Sequence, residues 1–219
     1  PWFGSIDIQE KKQTTSLPFS FKPLKVILDP YYEVFRRLNP GEVPPNIGQT
    51  YGSEMQTPVL PTNEGSTSLL SGYRQFARSV KTASRSSEII LKDITLTPAP
   101  AGSLWLFGKN NTLARQHNVQ LDRYDVKIDE QGVTLDDKKF QWGNHSFVLA
   151  LNRYGSKGNT VTWVVASSKE SIPGLIRKLP HYGKYGYLVF KGDVPSNVAK
   201  GIWPSSGTGL HHTFKKGVY

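Results

Sequence analysis

Metal and acid-base chemistry would have to draw on five histidines, His117, His145, His181, His211 and His212. A helical zinc peptidase site needs two His one turn apart with a Glu beside the first, and no pair among the five has that spacing. His211 and His212 are adjacent, so on a regular element they point to opposite sides, and in a Gly-rich tail they read as solvated. The chain has no Cys, which excludes disulfides, thiolate metal sites and thiol nucleophiles. A serine hydrolase sets its nucleophile in Gly-x-Ser-x-Gly at a strand-to-helix elbow. The nearest approach is Ser205-Ser206-Gly207-Thr208-Gly209, which follows no predicted strand. Asp122, Asp125, Asp129, Glu130, Asp136 and Asp137 could contain the two carboxylates of a glycosidase, but acidic turns between strands are their ordinary explanation.

Two stretches suit binding better than catalysis. Phe107-Gly108-Lys109-Asn110-Asn111-Thr112 runs from a strand through a glycine into a helix start, the geometry that collects anions at helix N-termini. Gly108, Lys109 and Asn110 would lie beyond a strand's carboxyl end, where open α/β sheets place ligands. The stretch lacks the Walker and dinucleotide fingerprints, no cofactor is expected, and a plain βα turn with an Asn cap fits it well. The second stretch is Leu179-Pro180-His181-Tyr182-Gly183-Lys184-Tyr185-Gly186-Tyr187. His181, Tyr182, Lys184 and Tyr185 are candidate contacts there, since Tyr rings stack and donate hydrogen bonds while the glycines admit close backbone approach. The same Tyr side chains could equally staple a helix onto a sheet.

These loops need a scaffold, and the periodicities supply one. Residues 1–29 alternate in short β runs (Ile6 and Ile8, Phe19 and Phe21, Val26 and Leu28), too little to bury a face alone, and read as the end of a preceding β-sandwich. Residues 30–55 form a Pro/Gly-rich connector with one short helix, Tyr31, Val34, Phe35 and Leu38 falling on one side. Residues 56–192 alternate strands with amphipathic helices. The clearest helix is Ser68–Lys81, with Leu69, Tyr73, Phe76, Ala77 and Val80 inward and Arg74, Arg78 and Lys81 outward. Strands are predicted at Glu88–Leu91, Ser103–Phe107, Val119–Leu135, Phe140–Leu151, Thr160–Ala166 and Tyr185–Phe190. A short helix covers Thr112–His117, begun at Asn110 or Asn111. The final helix, Ile172–Leu179, has Ser167 and Glu170 spaced as a capping box and Pro173 in its first turn. The expected fold is a three-layer α/β domain with a largely parallel sheet flanked by helices, followed by a basic Gly/Ser/Pro-rich tail over 193–219, exposed and partly mobile.

The 219 residues are 37% hydrophobic and 20% charged, with a mean hydropathy of −0.42, the composition of a globular chain. No apolar run reaches the roughly 18 residues of a membrane span. The net charge of +10 invites a polyanion, but the basic residues occur only as pairs (Lys11-Lys12, Arg36-Arg37, Lys138-Lys139, Arg177-Lys178, Lys215-Lys216) without a stripe or a nucleic-acid motif. Nucleic acid is therefore disfavoured, and loose attraction to anionic envelope polymers explains the charge more simply. The opening Pro1-Trp2-Phe3-Gly4, without a Met or a signal segment, is expected of a processed or excised piece.

The run Pro173-Gly174-Leu175-Ile176-Arg177-Lys178-Leu179-Pro180-His181-Tyr182-Gly183-Lys184-Tyr185, continuing through Gly192-Asp193, Asn197, Lys200-Gly201 and Trp203-Pro204, resembles a segment downstream of the peptidase unit in large bacterial proteins related to M1-type zinc aminopeptidases. Leu28-Asp29-Pro30, Val34-Phe35-Arg36-Arg37-Leu38 and Glu42-Val43-Pro44-Pro45 look like the exit from the β-sandwich that follows the catalytic domain in that group. The resemblance implies a C-terminal accessory region, in the periplasm or secreted, whose partner is the upstream peptidase domain of the same polypeptide. The family's His-Glu-x-x-His has no counterpart here, so no catalytic residue carries over. A non-catalytic accessory or binding domain, with peptide or an anionic envelope polymer as possible ligand, is the leading expectation. A stand-alone hydrolase with a dispersed His/Asp/Tyr site and a basic polyanion-binding protein are the alternatives.

Overall fold

Along the strand Ser103–Phe107, Trp105 and Phe107 point to one side and Leu104 and Leu106 to the other, and all four are buried. A strand that is apolar on both sides needs cover on both, and that requirement organises the α/β part of the molecule. The computed structural model describes residues 2–31, 33–39, 41–82, 91–93, 100–205 and 210–214, which fall into two units, residues 1–37 with 207–219 and residues 38–206.

The smaller unit is built on one antiparallel pair, β1 (Lys25–Ile27) with a strand at His211–Thr213, in the register Lys25 to Thr213. Aromatic contacts accompany it, Trp2 edge-on to Phe19 at 5.1 Å and Phe3 stacked on Tyr31 at 6.4 Å. The helix expected over Tyr31–Leu38 does not form in the described residues. Asp29, at φ +50, accepts the N–H groups of Glu33 and Val34 and pairs with Arg36 at 2.8 Å. These bonds close a local turn around the Asp29 carboxylate.

The larger unit begins with α1 (Ile47–Tyr51), capped by Asn46 and Gln49 in a reciprocal box. There follow β2 (Gln56–Leu60), α2 (Thr67–Thr82), β3 (Leu91–Lys92), β4 (Ser103–Phe107) and a 3-10 turn (Ala114–His117) running into α3 (Asn118–Arg123). Next come β5 (Lys127–Ile128), β6 (Gly132–Leu135), β7 (Lys138–Gln141), β8 (His145–Asn152) and β9 (Thr160–Val165). The unit closes with α4 (Ile172–Lys178), a 3-10 turn (Leu179–Tyr182), β10 (Tyr187–Lys191) and β11 (Ser196–Gly201). The strand at His211–Thr213 is β12. Seven strands form one sheet in the order β11-β10-β8-β9-β4-β2-β3, and β5-β6-β7 form a small antiparallel sheet.

The fold is α/β, but the sheet is mixed rather than largely parallel. Strands β3, β2, β4 and β9 are parallel, while β8, β10 and β11 are added antiparallel. The reason is local, since the short connection 153–159 lets β8 and β9 pair as a hairpin, whereas a parallel pair needs a long crossover. Side chains alternate faithfully between two cores. Trp105, Phe107, Val148, Ala150, Val164, Leu188 and Phe190 meet Tyr73, Phe76, Ala77 and Val80 of α2 and Ile172 and Leu175 of α4. Leu104, Leu106, Phe147, Leu149, Val161, Trp163 and Val189 meet Leu121 of α3, Val133 and Leu135 of β6, and Trp203.

The helix predicted over Ser68–Lys81 is α2, its start held by Ser66, whose hydroxyl accepts the Leu69 N–H at 3.2 Å. Four expectations change. The strand predicted from Val119 is helical over Asn118–Arg123, burying Leu121 while Val119 is exposed, and Asp125 at φ +53 turns the chain into β5. The capping box at Ser167 and Glu170 is replaced by Ser171 as cap, with no side-chain cap bond, because Ser167 bonds Ser146 instead. The domain does not stop at 192, since β11 pairs along β10 and Trp203 enters the second core. The tail from 193 is accordingly ordered into strand over Ser196–Gly201 and His211–Thr213. Residues 83–90 lie outside the described ones, so of the strand predicted over Glu88–Leu91 only Leu91 is seen, in β3. Among the described residues no helix is long and apolar enough to cross a membrane.

Candidate functional site

Beyond Phe107 the chain turns at Gly108 with φ +86, a conformation a side chain would strain. Its N–H bonds the Val164 carbonyl at 2.9 Å, and its own carbonyl accepts the Trp163 indole N–H at 2.8 Å. A Cβ there would come within 2.9 Å of Glu64 Oε2 and of Pro61 Cγ. The turn is thus fixed to β9 by two hydrogen bonds. Asn111, wholly buried, donates from Nδ2 to the carbonyls of Val59 and Phe107 and accepts the Leu113 N–H, so it, rather than Asn110, starts the helical stretch.

Between β2 and β4 the chain's connections diverge, which is where open sheets bind ligands. Here that crevice is filled. The buried Asp93 carboxylate accepts the Thr62 N–H at 2.9 Å, the Thr62 hydroxyl at 2.5 Å and the Thr112 N–H at 2.8 Å. Burial alone would raise its pKa, but these donors outweigh burial and hold the carboxyl below the usual carboxylate value. Glu64, against Gly108, is pushed up by burial, which the Ser66 N–H partly offsets.

Open space is found instead on the α3 face. A cavity of about 770 Å³ is lined by Trp142, Trp163, Ala114, Leu121 and Val126 below and by Lys109, Asn110, Arg115, Asp122, Asp129 and Glu130 around the rim. Asp129 is committed to the fold, accepting the Gln131 and Gly132 N–H groups at 2.8 Å each and pairing with Lys139 at 2.7 Å. The Trp142 indole N–H donates to the Asp129 carbonyl at 2.9 Å. Lys109 Nζ lies 3.3 Å from the Glu130 carbonyl and 5.2 Å above the Trp142 ring. The side chains of Asn110, Arg115, Asp122 and Glu130 are exposed and unpaired among the described residues. Gly108 is therefore a fixed turn leading into this rim, and Lys109 and Asn110 line the cavity.

The His181 loop is used differently. The carbonyls of Gly183 and Tyr185 accept the N–H groups of Gly48 (2.7 Å) and Ile47 (3.0 Å), satisfying the first turn of α1. Tyr182 and Tyr185 pack on the first core, Tyr182 edge-on to Phe190 at 5.7 Å, with Lys200 Nζ 5.3 Å from the Tyr185 ring. His181 and Lys184 are exposed, Lys184 lying over Tyr185 at 5.3 Å. Gly186 leaves room for Trp203, whose Cδ1 would be 2.4 Å from a Cβ there. The two candidate stretches sit against opposite faces of the sheet and do not converge.

Among the described residues, one buried side-chain polar atom has no partner. His117, 3% exposed, directs Nδ1 at the Leu113 carbonyl at 3.1 Å, while its Nε2 is unsatisfied. Burial lowers its pKa, a shift the Leu113 bond opposes and Arg153 reinforces. Among the described residues no group of three or more His, Asp or Glu is placed to hold a metal ion. Of the Ser205–Gly209 stretch only Ser205 is described. Sequence reasoning weighed Asp122, Asp129 and Glu130 as acidic turns and passed over Arg115, Trp142 and Trp163. Trp142, close after that acidic text, was the available signal, while Arg115 and Trp163 gave none. A scan of protein-family models finds no match to this chain, and a search of curated proteins likewise finds none.

Proposed function

We propose that this chain is a non-catalytic accessory module of an exported metallopeptidase-like protein, attached through its smaller unit to a preceding domain of the same polypeptide. The observation that carries the reading is the apolar surface of that unit. Trp2, Phe3, Phe21, Leu24, Tyr31, Val34 and Phe35 are each more than half exposed, Phe35 completely. A two-stranded ribbon is marginal in water, and large apolar patches mark interaction surfaces. The pattern Tyr31, Val34 and Phe35 that suggested a helix is a largely exposed apolar row in this unit, with Phe3 stacked on Tyr31. The sequence resemblance supplies the identity of the partner, a β-sandwich beside a zinc peptidase unit.

The larger unit is then the part that binds, and the chain has no peptidase activity of its own. Hydrolysis of aminoacyl-nitroanilide and ester reporters by the purified chain, abolished by His181→Ala, would refute the reading. The expected result is no turnover, together with an aminopeptidase activity in the complete gene product that survives H181A.

A further inference from the structure

We infer that the cavity on the α3 face is a saccharide-binding site, taking a short neutral glycan. Its volume of about 770 Å³ falls inside the ~300–1,000 Å³ range of small-ligand pockets. The chemistry of the lining narrows the class. Both indoles have their N–H groups spent on backbone carbonyls, Trp142 on Asp129 and Trp163 on Gly108. What Trp142, the more exposed of the two, contributes to the cavity is therefore carbon surface, the complement of the apolar C–H face of a pyranose ring, while Trp163, 6% exposed, closes the floor. At the rim, Asn110 and Arg115 offer donors while Asp122, Glu130 and the Asn110 carbonyl offer acceptors, and none of these side chains is paired within the described residues. A mixed set of donors and acceptors suits vicinal hydroxyls, each of which both donates and accepts. A phosphate or polyanion would meet Asp122 and Glu130 beside Lys109, Arg115 and Lys127, a lining of mixed charge rather than the clustered cations an anion site needs. The polar side chains come from the β4–α3 turn, α3 and the β5–β6 turn, and the ordered bonds of Gly108, Asn111 and Asp129 hold those elements in place. The Lys109 stem, exposed above Trp142, is the part that moves aside or covers the sugar.

This goes beyond the accessory reading and does not depend on how the smaller unit attaches. The test is titration of the full chain with triacetylchitotriose and with maltotriose, followed by tryptophan fluorescence and calorimetry, with pyrophosphate and trialanine as comparison ligands. At least one saccharide is expected to bind saturably, and Asp122→Ala and Glu130→Ala each to weaken it at least about tenfold. Both side chains are exposed and unpaired, so near-ultraviolet circular dichroism stays unchanged in the variants. Two outcomes overturn the assignment at the level of ligand class, namely no binding of either sugar up to about 10 mM, beyond the millimolar end of the affinity scale, or saturable binding of pyrophosphate or trialanine instead. Saccharide binding that is unaltered in both D122A and E130A overturns it at the level of the site.

Discussion

At the residue scale, His117 is where the fold tolerates an unsatisfied group. An imidazole buried with one nitrogen unpartnered is held neutral, whereas in the unfolded chain it takes up a proton below its ordinary value of 6.5. The unfolded state therefore binds more protons at acid pH, and the stability His117 contributes is present above that value and is lost as pH falls toward the depressed folded one. Urea midpoints between about pH 7.5 and 5 should fall for the native chain and fall less for His117→Gln, which keeps a donor for Leu113 and cannot titrate. Equal slopes would show that His117 is not the group responsible. Gly108 makes a second prediction. Its φ of +86 and the 2.9 Å approaches of Glu64 and Pro61 mean that Gly108→Ala should cost about 1–3 kcal/mol in denaturant unfolding.

Among the elements, the β6–β7 hairpin shows how a small sheet is fastened to a large one. Asp136 and Asp137 both have positive φ, at 49 and 60, as a two-residue primed turn requires. Asp136 then receives the Tyr187 hydroxyl at 2.5 Å. Burial together with that carboxylate pushes the Tyr187 pKa up to about 12, so the hydroxyl donates throughout the neutral range. Tyr187→Phe should lower stability by about 2 kcal/mol. Asp137→Gly, which relieves a left-handed residue and removes no contact of the latch, should raise it by about 1 kcal/mol. How much of this was legible in the sequence differs by element. Periodicity of 3.6 marked α2, and continuous apolar runs marked β4, β8 and β9, because in each the residue's neighbours in sequence report its burial. The mixed sheet was not legible, since pairing direction depends on chain reversal at 153–159 rather than on side chains. Nor was the helix α3, whose Val119 and Leu121 mimic β alternation, nor the turn around Asp29 that stands beside the expected 31–38 helix. Of the cavity lining, Lys109 and Asn110 fall in the strand–Gly–helix text that the sequence singled out. The Trp and Arg lining does not, as those residues lie up to some 50 positions apart in the chain.

For the whole molecule, two units of very different character share one chain. Residues 38–206 carry two cores around a seven-stranded sheet, and this fragment should unfold cooperatively on its own. Residues 1–37 pair through three-residue strands and expose most of their large apolar side chains. The intact chain should therefore bind the dye ANS strongly, and the 38–206 fragment only weakly. The most direct measurement of the accessory role is backbone hydrogen exchange over residues 2–35 in the isolated chain and in the complete gene product. Attachment to a preceding domain predicts strong slowing of exchange across this stretch in the complete product, with residues 103–107 and 160–165 unchanged. Identical exchange in the two, or a complete product holding no further domain, would contradict it.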